Sequence, residues 1–191
     1  MSIIKKTAVR SLVALAIAAS FTVCAHENEH EKNEAEEFSF ALWGDMPYAK
    51  ANDAPKIQVL IDDINASNVA FTVFDGDIKD GSSVCDKFQY DDAIYRFNSF
   101  KKPMVYVPGD NEWTDCHRTN NGGYNNLERL SYIRQAMFSS LDSFGQKKMP
   151  LEHQGELGHE YAENVRWTHG NVVFVGLNVP GSNNNKVTRN K

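Results

Sequence analysis

Beyond its first 25 residues, this chain of 191 residues lacks an apolar run of the roughly 20 residues that a membrane span requires. It also lacks a basic cluster, since its formal charge at pH 7 is -5. We therefore expect no nucleic-acid-binding surface, because nothing would displace the counterions of the phosphates. The length and the 41% content of hydrophobic residues predict one ordinary globular domain.

Cysteine is scarce, with three residues in all, and the first lies in an N-terminal segment that we expect to be removed. A basic start that includes Lys5 and Arg10 precedes the apolar run SLVALAIAASFTVCA, which ends with small residues at Val23 and Ala25. This pattern is typical of a signal peptide cleaved after Ala25. The sequence therefore predicts an exported protein, either periplasmic or extracellular.

The remaining cysteines, Cys85 and Cys116, form an even pair in a chain that we expect to be exported. Such a pair favours a disulfide, because export leads to an oxidising compartment. Residues 26–37, HENEHEKNEAEE, hold no aliphatic side chain larger than alanine and predict a flexible acidic leader. Residues 38–191 then form the predicted folded domain.

The domain alternates strand-like and helix-like segments, which predicts an α/β fold with parallel strands and right-handed crossovers. A hairpin is predicted near the C-terminus, with its turn at His169–Asn171 and a buried strand over residues 172–177. The predicted strands are FSFALWGD, VAFTVFDGD and KPMVYVPGD, and the predicted helices are DAPKIQVLIDDINAS, KFQYDDAIYRFNSF and LERLSYIRQAMFSSL.

Each of the three predicted parallel strands ends in Gly-Asp, at Asp45, Asp77 and Asp110. Their nearly equal spacing is one βαβ unit, so the three carboxylates should meet at one sheet edge. An aspartate often follows a strand as a turn former, which is the alternative interpretation. Three clustered carboxylates repel one another, however, and a shared divalent cation explains the recurrence better. Magnesium, manganese, iron and zinc all suit such oxygen ligands, and the sequence does not distinguish them.

The motifs WGDMPY, FDGDIKDGSSVCD and VPGDNEWTDC, in this order, resemble the first three motifs of the calcineurin-like metallophosphoesterases. The resemblance extends from about Phe38 to Gly181. It implies an αββα sandwich with two adjacent divalent metal ions at the strand ends, where a bridging hydroxide would attack phosphorus. Carried onto this chain, it implies that Asp45 binds the first metal, Asp77 bridges both and Asp110 binds the second. It also implies that Glu112 orients its neighbours.

The chain departs from that family at three positions of these motifs. Asp110 stands where the family usually has an asparagine that binds the second metal. Pro47 stands where the family has a metal-binding histidine, and Asn111 stands where a histidine assists the leaving group. An amide donates hydrogen bonds but transfers no proton at neutral pH, so Asn111 would only hold phosphate oxygens. His117 is the candidate replacement acid, and the alternative is a loop histidine without a role. The family's later histidine motifs have no counterpart, so we expect a C-terminal part of that domain to be missing.

The sequence thus leads to two hypotheses about function. The first is an exported metal-dependent hydrolase that splits phosphate mono- or diesters with metal-activated water. The alternative is a non-catalytic secreted domain, derived from that fold, that binds metal, phosphate or a partner. The aromatic residues Trp43, Tyr48, Phe74 and Trp113 are interpreted as packing residues rather than as a substrate platform.

Overall fold

The computed structural model describes residues 37–48 and 53–181. The predicted signal peptide and all of the predicted leader except Glu37 lie outside these ranges, so both stay predictions. Two short 3-10 helices follow the third strand. The strands and α-helices are β1 (Ala41–Trp43), α1 (Asp53–Ala66), β2 (Thr72–Phe74), α2 (Lys87–Ser99), β3 (Met104–Tyr106), α3 (Asn126–Met137), β4 (Glu152–His153), β5 (Val165–His169) and β6 (Val172–Gly176).

Strands β1, β2 and β3 form a parallel sheet in that order. Trp43, Phe74 and Tyr106 lie side by side in the register, and each is the last residue of its strand. The three strands therefore end at one edge of the sheet. The prediction of a mixed α/β fold with three parallel strands is confirmed.

Helices cover one face of this sheet. The ring of Phe97 on α2 packs against Phe74 and Tyr106, with centroids 5.2 Å from each. Asp86 begins α2 by accepting a hydrogen bond from the Gln89 amide, an ordinary N-terminal cap. In the two described ranges, no helix combines the length and apolar character that crossing a membrane requires.

A second, antiparallel sheet in the order β4-β5-β6 packs on the opposite face. The Phe71 ring contacts Trp167 and Phe174 of this sheet, with centroids 5.7 and 5.1 Å away. The predicted hairpin is confirmed, and β4 was not predicted. The prediction that residues 172–177 form a buried strand is wrong. Phe174 and Gly176 face the parallel sheet, whereas Val173, Val175 and Leu177 point outward and are exposed.

The predicted disulfide between Cys85 and Cys116 is confirmed. The two Cα atoms lie 5.7 Å apart, and both side chains are fully buried. The bond joins the segment before α2 to the 3-10 helix Thr114–His117 that follows β3. It therefore ties together the two loops that carry the second and third Gly-Asp motifs.

Replacing both cysteines should lower the free energy of unfolding by about 3–4 kcal/mol. In the chain-entropy model the disulfide removes freedom from the unfolded chain, and the two cysteines here are 31 residues apart. Urea unfolding of the oxidised protein and of the Cys85→Ala/Cys116→Ala variant measures the difference. A loss below about 1 kcal/mol would contradict the prediction, because the bond would then not constrain the unfolded chain.

Candidate metal centre

The Gly-Asp turns at the ends of β1, β2 and β3 fit closely against one another. A side chain at Gly76 would lie 2.5 Å from the Gly109 nitrogen, and one at Gly109 would collide with the Asp77 carboxylate. A side chain at Gly44 would collide with Asp75. Glycine is thus required before each aspartate because neighbouring turns occupy the space of a Cβ atom.

Asp45 and Asp77 share an unusual backbone conformation. Their φ angles are 57° and 64°, in the left-handed region that residues other than glycine seldom adopt. Such a conformation costs on the order of 1–3 kcal/mol and is concentrated at functional sites. Equivalent turns at the ends of adjacent strands therefore aim two carboxylates outward from the same edge.

The hydroxyl of Tyr48 lies between these two carboxylates. It donates a short hydrogen bond to Asp45 Oδ1 and lies 3.3 Å from Asp77 Oδ2. Burial, followed by hydrogen bonding to Asp45 and the negative charge of Asp77, raises the pKa of Tyr48 far above its usual value. The hydroxyl therefore keeps its proton and shares it between two anions. The interpretation of Tyr48 as a packing residue is incomplete, since its oxygen belongs to the candidate site.

Asn111 holds Asp77 from the third motif. Its backbone N–H donates to Asp77 Oδ1 at 3.2 Å, and its side-chain amide donates to Asp77 Oδ2 at 2.9 Å. Burial raises the pKa of Asp77, the Asn111 N–H opposes this shift, and the negative charges of Asp110 and Asp45 add to it. Asp77 is thus the carboxylate on which all three motifs act.

Glu112 lies fully buried beneath this edge. Its Oε1 accepts hydrogen bonds from the Ile78 amide at 2.9 Å and from the Tyr106 hydroxyl at 3.2 Å, while Oε2 has no hydrogen-bond partner. Burial and the negative charge of Asp77 raise the pKa of Glu112 to about 8. Because Glu112 fixes the backbone next to Asp77, its contacts agree with the orienting role that the family resemblance implies.

Asp110 lies close enough for its charge to act on Asp77, although the structure gives it no side-chain hydrogen bond to the other two aspartates. Within residues 37–48 and 53–181, no three histidine, cysteine, aspartate or glutamate side chains are grouped closely enough to hold a metal ion. Among the described residues, the Tyr48 hydroxyl links the carboxylates of Asp45 and Asp77. The roles of Asp45, Asp77 and Asp110 as metal ligands stay predictions.

His117 and Arg118 lie at the end of the 3-10 helix Thr114–His117. His117 is exposed, and its Nδ1 is 2.8 Å from the Thr114 carbonyl. Arg118 pairs with Asp115 at 2.8 Å, and its Nη1 is also near Gly81, where Asn111 Oδ1 approaches. Arg118 and Asn111 thus both approach Gly81, whereas the proposed acid His117 has no described contact with the aspartates.

Comparison with protein-family models, curated proteins and solved structures found no match for this chain. The resemblance to the metallophosphoesterases therefore rests on the three sequence motifs alone. What the fold adds is that the motifs end adjacent parallel strands and contact one another.

A cation between the first two motifs would have to displace the Tyr48 hydroxyl, which lies between Asp45 and Asp77. Asp45 Oδ1 and Asp77 Oδ2 both face a point that the Tyr48 hydroxyl occupies. Carboxylate oxygens are ligands that magnesium and manganese accept. A cation there would offset the negative charges of Asp110 and Asp45, which add to the burial that raises the pKa of Asp77. These oxygens offer less to a second ion, because Asn111 donates to both oxygens of Asp77.

Sequence reasoning missed two residues near the site. Tyr48 lies three positions after Asp45, so its place in the same turn was a usable indication. Lys79 lies two positions after Asp77 in a polar loop, where a lysine is expected to be exposed, yet it is buried. Its Nζ donates to the Asp80 carbonyl at 3.0 Å. Burial lowers the pKa of Lys79, and the charge of Glu112 is the largest of several that oppose this.

Proposed function

We propose that this protein is an exported, metal-dependent phosphoesterase with an αββα fold of the calcineurin-like kind. The observation that carries the proposal is the contact of all three motifs at Asp77, which bonds Tyr48 of the first motif and Asn111 of the third. A turn former would need neither partner. Carboxylates clustered in this way favour a cation, and phosphoester hydrolysis is the reaction that the motif order implies.

In this proposal, the residues around Asp77 hold the cation, fix one another in place and bind the phosphate group. Asp45 and Asp77 would hold the cation, with Asp110 completing the set, and the ion would lower the pKa of a bound water. Asn111 fixes both oxygens of Asp77, and Glu112 fixes the backbone beneath it. Arg118, which pairs with Asp115 and approaches Gly81, would suit an anionic phosphate oxygen. His117 would donate a proton to the leaving group only where the substrate reached its Nε2, because no described contact joins it to the aspartates.

The alternative function is non-catalytic binding of metal or phosphate, and one observation favours it. The side-chain amide of Asn111 donates to Asp77 at 2.9 Å, in the place where the family's catalytic histidine would act. Without that proton donor a reaction of this kind loses a factor of about 10²–10⁴. We therefore expect weak metal binding and slow turnover rather than the rate of a complete site.

Replacing Asp77 with asparagine should abolish both metal binding and turnover. We expect manganese affinity to fall by more than about 100-fold, because even residues that merely orient metal ligands contribute about 10- to 100-fold. Calorimetric titration with manganese and with zinc gives the affinity. Hydrolysis of an activated aryl phosphodiester gives the rate on the same samples.

Asp63→Asn is the matched control, because Asp63 is an exposed carboxylate on α1 outside the site. It should leave affinity and rate unchanged. Metal binding without turnover, lost in Asp77→Asn, would support the non-catalytic alternative instead. Absence of metal binding in the unmodified chain would contradict the phosphoesterase proposal and the metal-binding form of the alternative.

A further inference from the structure

Lys79, in the loop that follows Asp77, is a buried lysine to which the mechanism above gives no role. Its side chain is only 1% exposed, although the loop around it, residues 78–83, is mostly polar. Lysine is almost never buried to this extent unless anions compensate its charge, because burying an isolated ammonium is very costly. The position of Lys79 therefore requires a partner of opposite charge.

The residues on either side of Lys79 contact the third motif. Before it, the Ile78 amide donates a hydrogen bond to Glu112 Oε1 at 2.9 Å. After it, Gly81 lies so close to Asp115 that a Cβ atom on the glycine would be 3.3 Å from Asp115 Oδ2. Since Lys79 is buried between these two contacts, its side chain lies where the loops of the second and third motifs meet.

Carboxylates surround the ammonium of Lys79 in this position. Its Nζ donates to the Asp80 carbonyl at 3.0 Å. Burial lowers the pKa of Lys79, and several negative charges oppose this shift, in decreasing order those of Glu112, Asp115, Asp80 and Asp77. The ammonium is thus the buried cation among these acids, and Asp77, on which the three motifs act, is one of them.

A second metal ion would depend on the same acids. The family resemblance implies that Asp77 bridges two ions and that Asp110 binds the second. Here Asn111 donates to both oxygens of Asp77, at 3.2 and 2.9 Å, and so occupies acceptor positions that a bridging carboxylate needs. The positive charge of Lys79 already balances carboxylates of the second and third motifs. The described residues therefore do not fit the pair of metal ions that the resemblance implies.

We propose that Lys79 takes the charge-balancing place of a second metal ion, so that the centre around Asp77 holds one divalent cation. The ammonium is a permanent part of the fold, and it repels any further cation that approaches the same carboxylates. The inference rests on the proposed function for the first ion. It adds that the site works with one metal ion and one lysine instead of two metal ions.

Replacing Lys79 with methionine tests this role, because methionine keeps an unbranched side chain and removes the charge. We expect Lys79→Met either to bind manganese at least about 10-fold more tightly than the unmodified chain or to bind two ions instead of one. Calorimetric titration gives the affinity, and equilibrium dialysis with metal analysis gives the number of ions per chain. A merely structural lysine would give the opposite result, since its loss would weaken binding.

Lys87→Met is the matched control, because it removes the same charge from a lysine that is 69% exposed and pairs with Asp91. It should leave the affinity and the number of ions unchanged. Circular dichroism shows whether each variant is folded. If Lys79→Met is not, Lys79→Met/Glu112→Gln is compared with Glu112→Gln alone, since the double variant also removes the carboxyl group whose charge acts most strongly on Lys79.

The number of ions in the unmodified chain separates this inference from the proposed function. One bound ion without hydrolysis of the aryl phosphodiester would contradict the phosphoesterase and leave the role of Lys79 intact. Two ions bound by the unmodified chain would overturn that role. An affinity that the loss of Lys79 leaves unchanged or weakens, or an absence of binding in every variant, would overturn it as well.

Discussion

Replacing Arg134 with methionine should lower the free energy of unfolding by about 3–5 kcal/mol. Arg134 on α3 donates from Nε and Nη2 to the two carboxylate oxygens of Glu163, at 2.7 and 2.6 Å. The exposed fractions of the two side chains are 13% and 3%. Removing the guanidinium would leave a buried, unpaired carboxylate, which costs far more than the net value of the pair.

The chain contains its own control for this prediction. Arg166 donates to Glu152 across β5 and β4 at 2.6 Å, but the exposed fractions of those side chains are 62% and 67%. Arg166→Met should therefore cost much less than Arg134→Met, because exposed ion pairs contribute little to stability. Urea unfolding of both variants gives the comparison. Equal losses would show that burial does not determine the strength of the Arg134 pair.

The same pair explains why Arg134 matters for the architecture. The pair joins α3, beside the parallel sheet, to Glu163, which lies two residues before the start of β5. The guanidinium also lies 5.7 Å from the centre of the Tyr161 ring, at a distance where a cation and an aromatic face attract. Loss of Arg134 should thus loosen the attachment of the second sheet as well as lower the overall stability.

The parallel sheet was predictable because each of its strands is a short apolar run closed by Gly-Asp. β2 and β3 are buried at every position, and a strand buried on both faces reads as a continuous apolar run. The same rule failed for β6, whose run of valines is equally apolar but is covered on one side only. The pattern of apolar residues in a strand shows only which side chains could be buried. Whether they are buried depends on what packs against each face of the sheet.

The sequence predicted those residues of the candidate site whose positions follow from the ends of the strands. Asp45, Asp77 and Asp110 follow from the strand ends, because parallel strands bring their carboxyl ends together. The Tyr48 hydroxyl was missed because its position depends on the path of the turn after Asp45. The burial of Lys79 was missed because it depends on residues such as Glu112, which are remote in sequence.

The metal-free protein should become less stable as the pH rises from about 5 to 8. The pKa of Glu112 is raised to about 8 in the folded state from an ordinary value of 4.5, because burial and Asp77 disfavour its charge. Between these values the native carboxyl keeps a proton that the unfolded chain has released. The free energy of unfolding therefore falls as pH rises, by as much as about 4 kcal/mol for a shift of this size.

Comparison with the Glu112→Gln variant isolates this contribution. Glutamine resembles the protonated acid, and its carbonyl oxygen still accepts from the Ile78 amide and the Tyr106 hydroxyl. Asp77 and Lys79 also titrate nearby, but they are present in both proteins. Urea unfolding between pH 5 and 8, with a chelator present, measures the free energy of unfolding of each protein. This free energy should fall less with pH in Glu112→Gln than in the unmodified chain. Glu156→Gln is the control at an exposed position and should match the unmodified chain. Equal pH dependence in all three proteins would mean that Glu112 releases its proton at an ordinary pH despite its burial, which requires Lys79 to stabilise its charge fully.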